Sequence, residues 1–192
     1  MLRKTLYGTL AVSLLLASAS SAEAQFASPI RFNVTAGAAL PVGDFGDTEA
    51  GGGGAELGFH LGAGLELRAP LMPIGLRFDG AFDRMSIEGG DVAYSIWNLT
   101  ANAVVQPSLS PLYFIGGVGF YSTDLTGDEV DDIFGDFESE TDFGFNLGAG
   151  LSLPLTGFST FIEARYHRVS IDENIFGYDN ISYIPIVFGL RF

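Results

Sequence analysis

Residues 57–68 read LGFHLGAGLELR, and every odd position in that run is apolar while the even positions are Gly58, His60, Gly62, Gly64, Glu66 and Arg68. A strict period of two is the signature of a β-strand with one greasy face and one polar or bare face. Residues 143–153, FGFNLGAGLSL, follow the same rule, with Phe143, Phe145, Leu147, Ala149, Leu151 and Leu153 opposing Gly144, Asn146, Gly148, Gly150 and Ser152. The two segments are near copies, GFHLGAGLEL at 58–67 and GFNLGAGLSL at 144–153. That is a single internal similarity and not a repeat array. Extended along the chain, the alternation predicts strands near 29–41, 55–68, 74–87, 93–106, 112–124, 141–153, 158–170 and 182–192. Each is long enough for the roughly 9–11 residues with which a tilted strand crosses a bilayer.

The connections alternate in character. Those at 69–73 (APLMP), 107–111 (PSLSP) and 154–157 (PLTG) are short and rich in proline, which suits turns where no ladder donor is needed. The other four are longer and acidic: 42–54 with Asp44, Asp47 and Glu49; 88–92 with Glu88 and Asp91; 125–140; and 171–181 with Asp172, Glu173 and Asp179. Short turns at one end and long loops at the other are the two rims of a membrane barrel.

Charge and composition remove whole classes of function. With 9 basic and 23 acidic residues in 192 and a net charge of -14, the chain cannot neutralise a phosphate backbone, so no nucleic-acid partner is expected. It has no cysteine, hence no thiolate zinc site, thiol catalyst or disulfide. Residues 1–24 place Arg3 and Lys4 before an apolar run from Leu6 to Ala17 and end in Ala22-Glu23-Ala24. This is the pattern of a secretory signal cleaved before Gln25. Residues 25–192 then form one domain, with 22 acidic residues and seven basic ones, all arginine. No later stretch reaches the 18 or so apolar residues of a membrane-crossing helix, so a place in a membrane requires a closed barrel.

Alternation alone also fits a soluble sandwich or a ligand-binding barrel. The polar faces decide between them. On 74–84, Ile74, Leu76, Phe78 and Phe82 oppose Arg77, Asp79 and Asp83; on 158–169, Ile162, Ala164 and Tyr166 oppose Glu163, Arg165 and His167. Few charges, of both signs, on the same faces are what an inward lattice of ion pairs requires. Arg77, Asp79, Asp83, Glu163, Arg165 and His167 are therefore assigned to a polar network inside an eight-stranded antiparallel up-and-down transmembrane β-barrel. Trp97, Tyr113, Tyr121, Tyr166, Tyr183, Phe120 and Phe192 fall near strand ends, where amphipathic rings settle at a lipid interface.

The final residues, YIPIVFGLRF at 183–192, put Ile184, Ile186, Phe188, Leu190 and Phe192 on one face. This looks like the C-terminal strand of bacterial outer-membrane barrels. With EARYHRVS at 163–170 and the twin LGAGL segments, residues 26–192 resemble the OmpA/OmpX-like superfamily of small outer-membrane barrel proteins. The resemblance implies an outer-membrane monomer bounded by lipid and lipopolysaccharide. It further implies that Tyr183, Phe188, Leu190 and Phe192 form the signal read by the barrel assembly machinery. No periplasmic tether domain is expected after Phe192. Pro185 departs from the pattern and calls for an edge or a bulge.

Four chemistries could ride on such a barrel. His167, Ser170 and Glu163 or Glu173 supply the types for a Ser-His-acid set, but a spacing of three puts His167 and Ser170 on opposite faces. The run 128–142, DEVDDIFGDFESETD, offers Asp128, Glu129, Asp131, Asp132 and Asp136 as oxygen ligands for weak divalent-cation association, without the ordered spacing of an EF-hand. Inward glycines could leave a narrow lumen for small polar or cationic solutes, or could make room for Arg31, Arg77, Arg165 and Arg191 to lie across the axis. Phe134, Phe137, Phe176 and Tyr178 could serve contacts from the acidic loops. The expectation is a non-enzymatic structural or surface-interaction protein without cofactor, with the narrow channel as the alternative.

Overall fold

The alternation predicted above is realised as eight strands: β1 (Ile30–Pro41), β2 (Gly58–Leu67), β3 (Ile74–Ser86), β4 (Ala93–Val105), β5 (Leu112–Thr126), β6 (Glu140–Pro154), β7 (Ser159–Ser170) and β8 (Asn180–Arg191). In the computed structural model each strand pairs antiparallel with its chain neighbours, and β8 closes onto β1. The structure describes residues 29–48, 52–69, 72–87, 89, 92–107, 109–126, 140–155, 158–171 and 179–192. The leader at 1–24 and the proposed cation ligands Asp128, Glu129, Asp131, Asp132 and Asp136 lie outside them. So do Phe134, Phe137, Phe176 and Tyr178.

Register fixes which side chains meet inside. From Arg31 the paired residues run through Glu66, Arg77, Asn102, Gly117, Asn146, His167 and Tyr183, and the circuit re-enters β1 at Pro41, ten residues beyond its start. A stagger of this kind tilts the strands and sets the barrel's width, which for eight strands is a lumen that side chains can fill. The ends are joined where Phe32 and Phe192 exchange backbone hydrogen bonds of 3.1 and 2.8 Å.

Pro185 needs neither an edge nor a bulge. Phe192 and Ser182 bond toward β1, so by the two-residue alternation of an antiparallel strand Pro185 faces β7. Opposite it the β7–β8 pairing skips Arg165 and Tyr166 and resumes at His167 in unchanged register. The missing donor is absorbed as a local gap in a ladder held on both sides.

The outward face is apolar: Leu99, Trp97 and Phe120 are 71%, 58% and 62% exposed. In a closed barrel such a face has lipid as its natural solvent. The inward face carries two apolar plugs. Near the short turns, Val104, Tyr113, Ile115 and Phe161 form one cluster. Near the long loops, Phe45, Met85, Tyr94, Ile96, Val169 and Ile181 belong to the other.

Three tyrosines depart from the interfacial positions expected of them. Tyr113, Tyr121 and Tyr183 are fully buried inside the barrel. Each occupies an inward position flanked by outward neighbours, as Tyr113 is by Leu112 and Phe114. Tyr183 consequently does not share the outward face of Phe188, Leu190 and Phe192.

Candidate functional site

The interior between the plugs is where the chain concentrates buried ionisable groups, because inward positions on eight strands converge on one axis. At the turn end Glu66 is completely buried, with Arg68 Nε at 2.9 Å and Arg191 Nη2 at 3.5 Å. Arg191 also lies 4.8 Å from the Phe161 ring centroid, so an aromatic face covers this buried charge. Arg31, opposite Glu66 on β2, is half-buried.

Above this, β3 and β7 face each other across the barrel. Arg77 donates from Nε to Asp79 Oδ2 at 2.9 Å and from Nη2 to Glu163 Oε1 at 2.7 Å. Arg165 pairs with Glu163 and reaches Asp79 Oδ2 from Nη1 at 3.2 Å. Tyr113 donates to Glu163 Oε2 at 2.7 Å, and Asn102 to Asp79 Oδ2 at 3.0 Å. Two cations and two anions thus neutralise each other in a buried layer, the condition under which buried charge is tolerable.

The twin glycine segments make this layer possible. They lie on β2, which adjoins β3, and on β6, which adjoins β7. A methyl group at Gly64 would strike Asp79 Oδ1, one at Gly148 the backbone of Ala164 and Arg165, and one at Gly150 the Tyr113 ring. Glycine on these walls is space occupied by the side chains of β3, β5 and β7.

The next layer contains the remaining predicted residues, Asp83 and His167, in company the sequence did not indicate. His60 Nδ1 is 2.7 Å from Asp83 Oδ1, and its Nε2 is 3.2 Å from Thr35 Oγ1. Asp83 Oδ2 accepts from Asn98 and Tyr183, both at 3.2 Å. His167 Nδ1 lies 2.9 Å from the Tyr121 hydroxyl, and its ring stacks on Tyr183 with centroids 5.0 Å apart. Seven strands contribute to this layer, so inward parity alone could nominate its members but not pair them.

Thr35, His60 and Asp83 have the order of a hydroxyl–imidazole–carboxylate relay. The adjoining cavity, lined by Thr35, His60, Asn98, Arg165 and His167 among others, measures about 20 Å³. That admits one water. The relay ties β1, β2 and β3 to one another through side-chain hydrogen bonds. The alternative set fails on direction: His167 is buried inside, whereas Ser170 is exposed on the outer face.

The loop-end plug is completed by the first long connection. A single 3-10 turn, Gly43–Gly46, drops the fully buried Phe45 onto Tyr94, with ring centroids 4.9 Å apart. The Tyr94 hydroxyl donates to the Gly53 carbonyl at 3.2 Å, and Ala55 bridges to Ile87. This connection is a folded cover as well as an acidic surface. Among the described residues no group of His, Asp and Glu side chains has the geometry of a metal site.

Residues 9–192 match the family model described as outer membrane protein beta-barrel domain. No curated protein matches the chain. Among solved structures, the Neisserial surface protein A (NspA) superposes with a TM-score of 0.58 at 17% identity, covering 85% of this chain and 96% of that one. Ail, the attachment invasion locus protein of Yersinia pestis, gives 0.50 at 20% identity, covering 86% and 100%. Ail in complex with the heparin analogue sucrose octasulfate gives 0.50 at 21% identity over the same shares. At these identities the likeness is one of fold.

Proposed function

Because the chain belongs to the outer membrane protein beta-barrel domain family, we propose that it is a non-conducting, non-enzymatic barrel that presents its acidic loops at the cell surface. The observation that carries this reading is the filled lumen. Two apolar plugs enclose the Arg77–Glu163–Arg165–Asp79 layer, and the cavity beside it is water-sized. Among the described residues this packing favours a closed lumen over a solute path or a substrate pocket.

What is left to act is the loop end. The four long connections hold the chain's excess of carboxylates, including Asp128, Glu129, Asp131, Asp132 and Asp136. A negative rim attracts cations and basic protein surfaces and repels soluble polyanions approaching from outside. The partner class is therefore cationic, in contrast to the heparin analogue bound by Ail. Weak divalent-cation association at 128–136 fits the same field. Residues 1–24 act as the cleaved export signal. Phe188, Leu190 and Phe192, on one outward face, are the terminal signal for assembly into the membrane as a monomer.

Planar-bilayer recording tests the reading. Silence from purified, folded barrel supports it. A steady cation-selective conductance that disappears when Asp128, Asp131, Asp132 and Asp136 are changed to Asn replaces it with the narrow channel.

A further inference from the structure

Charge on the outward face of the barrel is scarce. In the described strands it amounts to Arg84 on β3, Asp124 near the end of β5 and Arg168 on β7, all toward the long loops. Below Arg84, the outward column of β3 is Phe82, Gly80, Phe78, Leu76 and Ile74. Eight residue steps from Ile74 to Phe82, at roughly 3.4 Å each and a tilt near 40°, span about 20 Å of apolar height. Arg84 thus stands just above the lipid-facing band. Among the described residues no carboxylate lies within ion-pair distance of it.

The surface beneath Arg84 is hollowed. Phe82 packs against Trp97 at 4.6 Å and Phe59 at 5.9 Å between ring centroids, forming an aromatic shelf. Under the shelf Gly80 has no side chain, and two hollows meet there. One of about 790 Å³ is lined by Leu61, Phe82, Trp97, Leu99 and Phe120. The other, of about 640 Å³, continues past Leu65, Phe78 and Val118 and shares Gly80, Leu99 and Phe120 with the first. A cation at the headgroup level, above an apolar trench that descends into the hydrocarbon, is complementary to an anionic headgroup attached to an extended acyl chain. Arginine is the side chain suited to the headgroup, since its planar fork grips a phosphate through two charge-assisted bonds.

We propose that Arg84 and the trench through Gly80 bind a phosphorylated glycolipid of the outer leaflet, its phosphate on the guanidinium and one acyl chain along β2–β5. The site rests on the reading that the long-loop end faces the cell exterior. Arg168 is the internal comparison. It is exposed on the same face, but its neighbour Tyr166 bonds Ser182 at 3.0 Å, and neither hollow reaches it.

The test is native mass spectrometry of the detergent-folded barrel titrated with bisphosphorylated lipid A, dephosphorylated lipid A and phosphatidylcholine. Wild type, Arg84→Gln, Gly80→Leu and Arg168→Gln are compared, with retention of the heat-sensitive gel shift establishing that each is folded. The site predicts a one-to-one adduct with bisphosphorylated lipid A, weakened at least about tenfold by Arg84→Gln through loss of the charge-assisted grip. Gly80→Leu weakens it comparably by filling the trench, and Arg168→Gln leaves it within a factor of two. Equal retention of dephosphorylated lipid A, or equal weakening by Arg168→Gln, overturns the site. Protease cleavage of the loops on intact cells checks orientation separately. Loops protected on intact cells overturn the orientation and the site with it; cleaved loops with no lipid adduct overturn the site alone.

Discussion

Arg77 on β3 donates to Glu163 on β7 at 2.7 Å, 86 residues away in sequence and on the opposite wall of the barrel. The bond spans the lumen, and both side chains are buried. Removing the carboxylate charge leaves Arg77 and Arg165 facing each other with Asp79 as their remaining counter-charge. Glu163→Gln is expected to cost about 3–5 kcal/mol, the usual consequence of breaking a buried pair from one side. The check is urea unfolding of the detergent-folded barrel, followed by its gel shift.

Glycine acts here as space, and two positions separate that role from mere small size. A Cβ at Gly189 would run into the Phe161 ring within the turn-end plug. Gly116 faces outward, and its nearest neighbour would be the flexible Leu147 Cδ1 at 3.2 Å. Gly189→Ala should destabilise the barrel by about 1–3 kcal/mol through overpacking. Gly116→Ala should stay within about 0.5 kcal/mol of wild type in the same unfolding measurement.

Strand positions and rim character were legible in the sequence because lipid outside and packed charge inside both enforce a period of two. Parity on two strands was enough to nominate Arg77, Asp79, Glu163 and Arg165 as inward residues, but which of them pair is set by the fold. Thr35, His60 and Asp83 were not legible as a group, since their meeting depends on the register of β1, β2 and β3. The tyrosines misled for a different reason. Tyr113, Tyr121 and Tyr183 have the ring and hydroxyl of an interfacial residue, yet their hydroxyls meet Glu163, His167 and Asp83 inside. Their parity, opposite to the flanking outward residues, was the signal to heed.

The relay-like trio should behave as structure. Asp83 binds His60, Asn98 and Tyr183, whereas Thr35 contributes one hydroxyl contact at 3.2 Å. Asp83→Ala is expected to cost about 3 kcal/mol or more by stranding buried donors, and Thr35→Val about 1 kcal/mol or less. Hydrolysis of ester and phospholipid substrates should be undetectable for wild type and both variants. Activity in wild type lost in Thr35→Val would contradict the structural role.

Phe45 anchors the cover over the loop-end mouth. Phe45→Ala should free the 42–57 connection for proteolysis while the barrel keeps its gel shift, because the strand ladders do not pass through that residue. Bilayer conductance should remain absent, since the ionic layer and the turn-end plug still fill the lumen beneath. Limited proteolysis beside planar-bilayer recording reads both effects.

A closed barrel resident in the outer membrane is the claim on which everything else rests, and it is tested by cell fractionation combined with gel mobility before and after boiling. The account predicts that the protein fractionates with the outer membrane and that the unboiled sample migrates faster than the boiled one. A periplasmic protein with a single mobility would contradict it, and would mean that the apolar outer face meets something other than lipid.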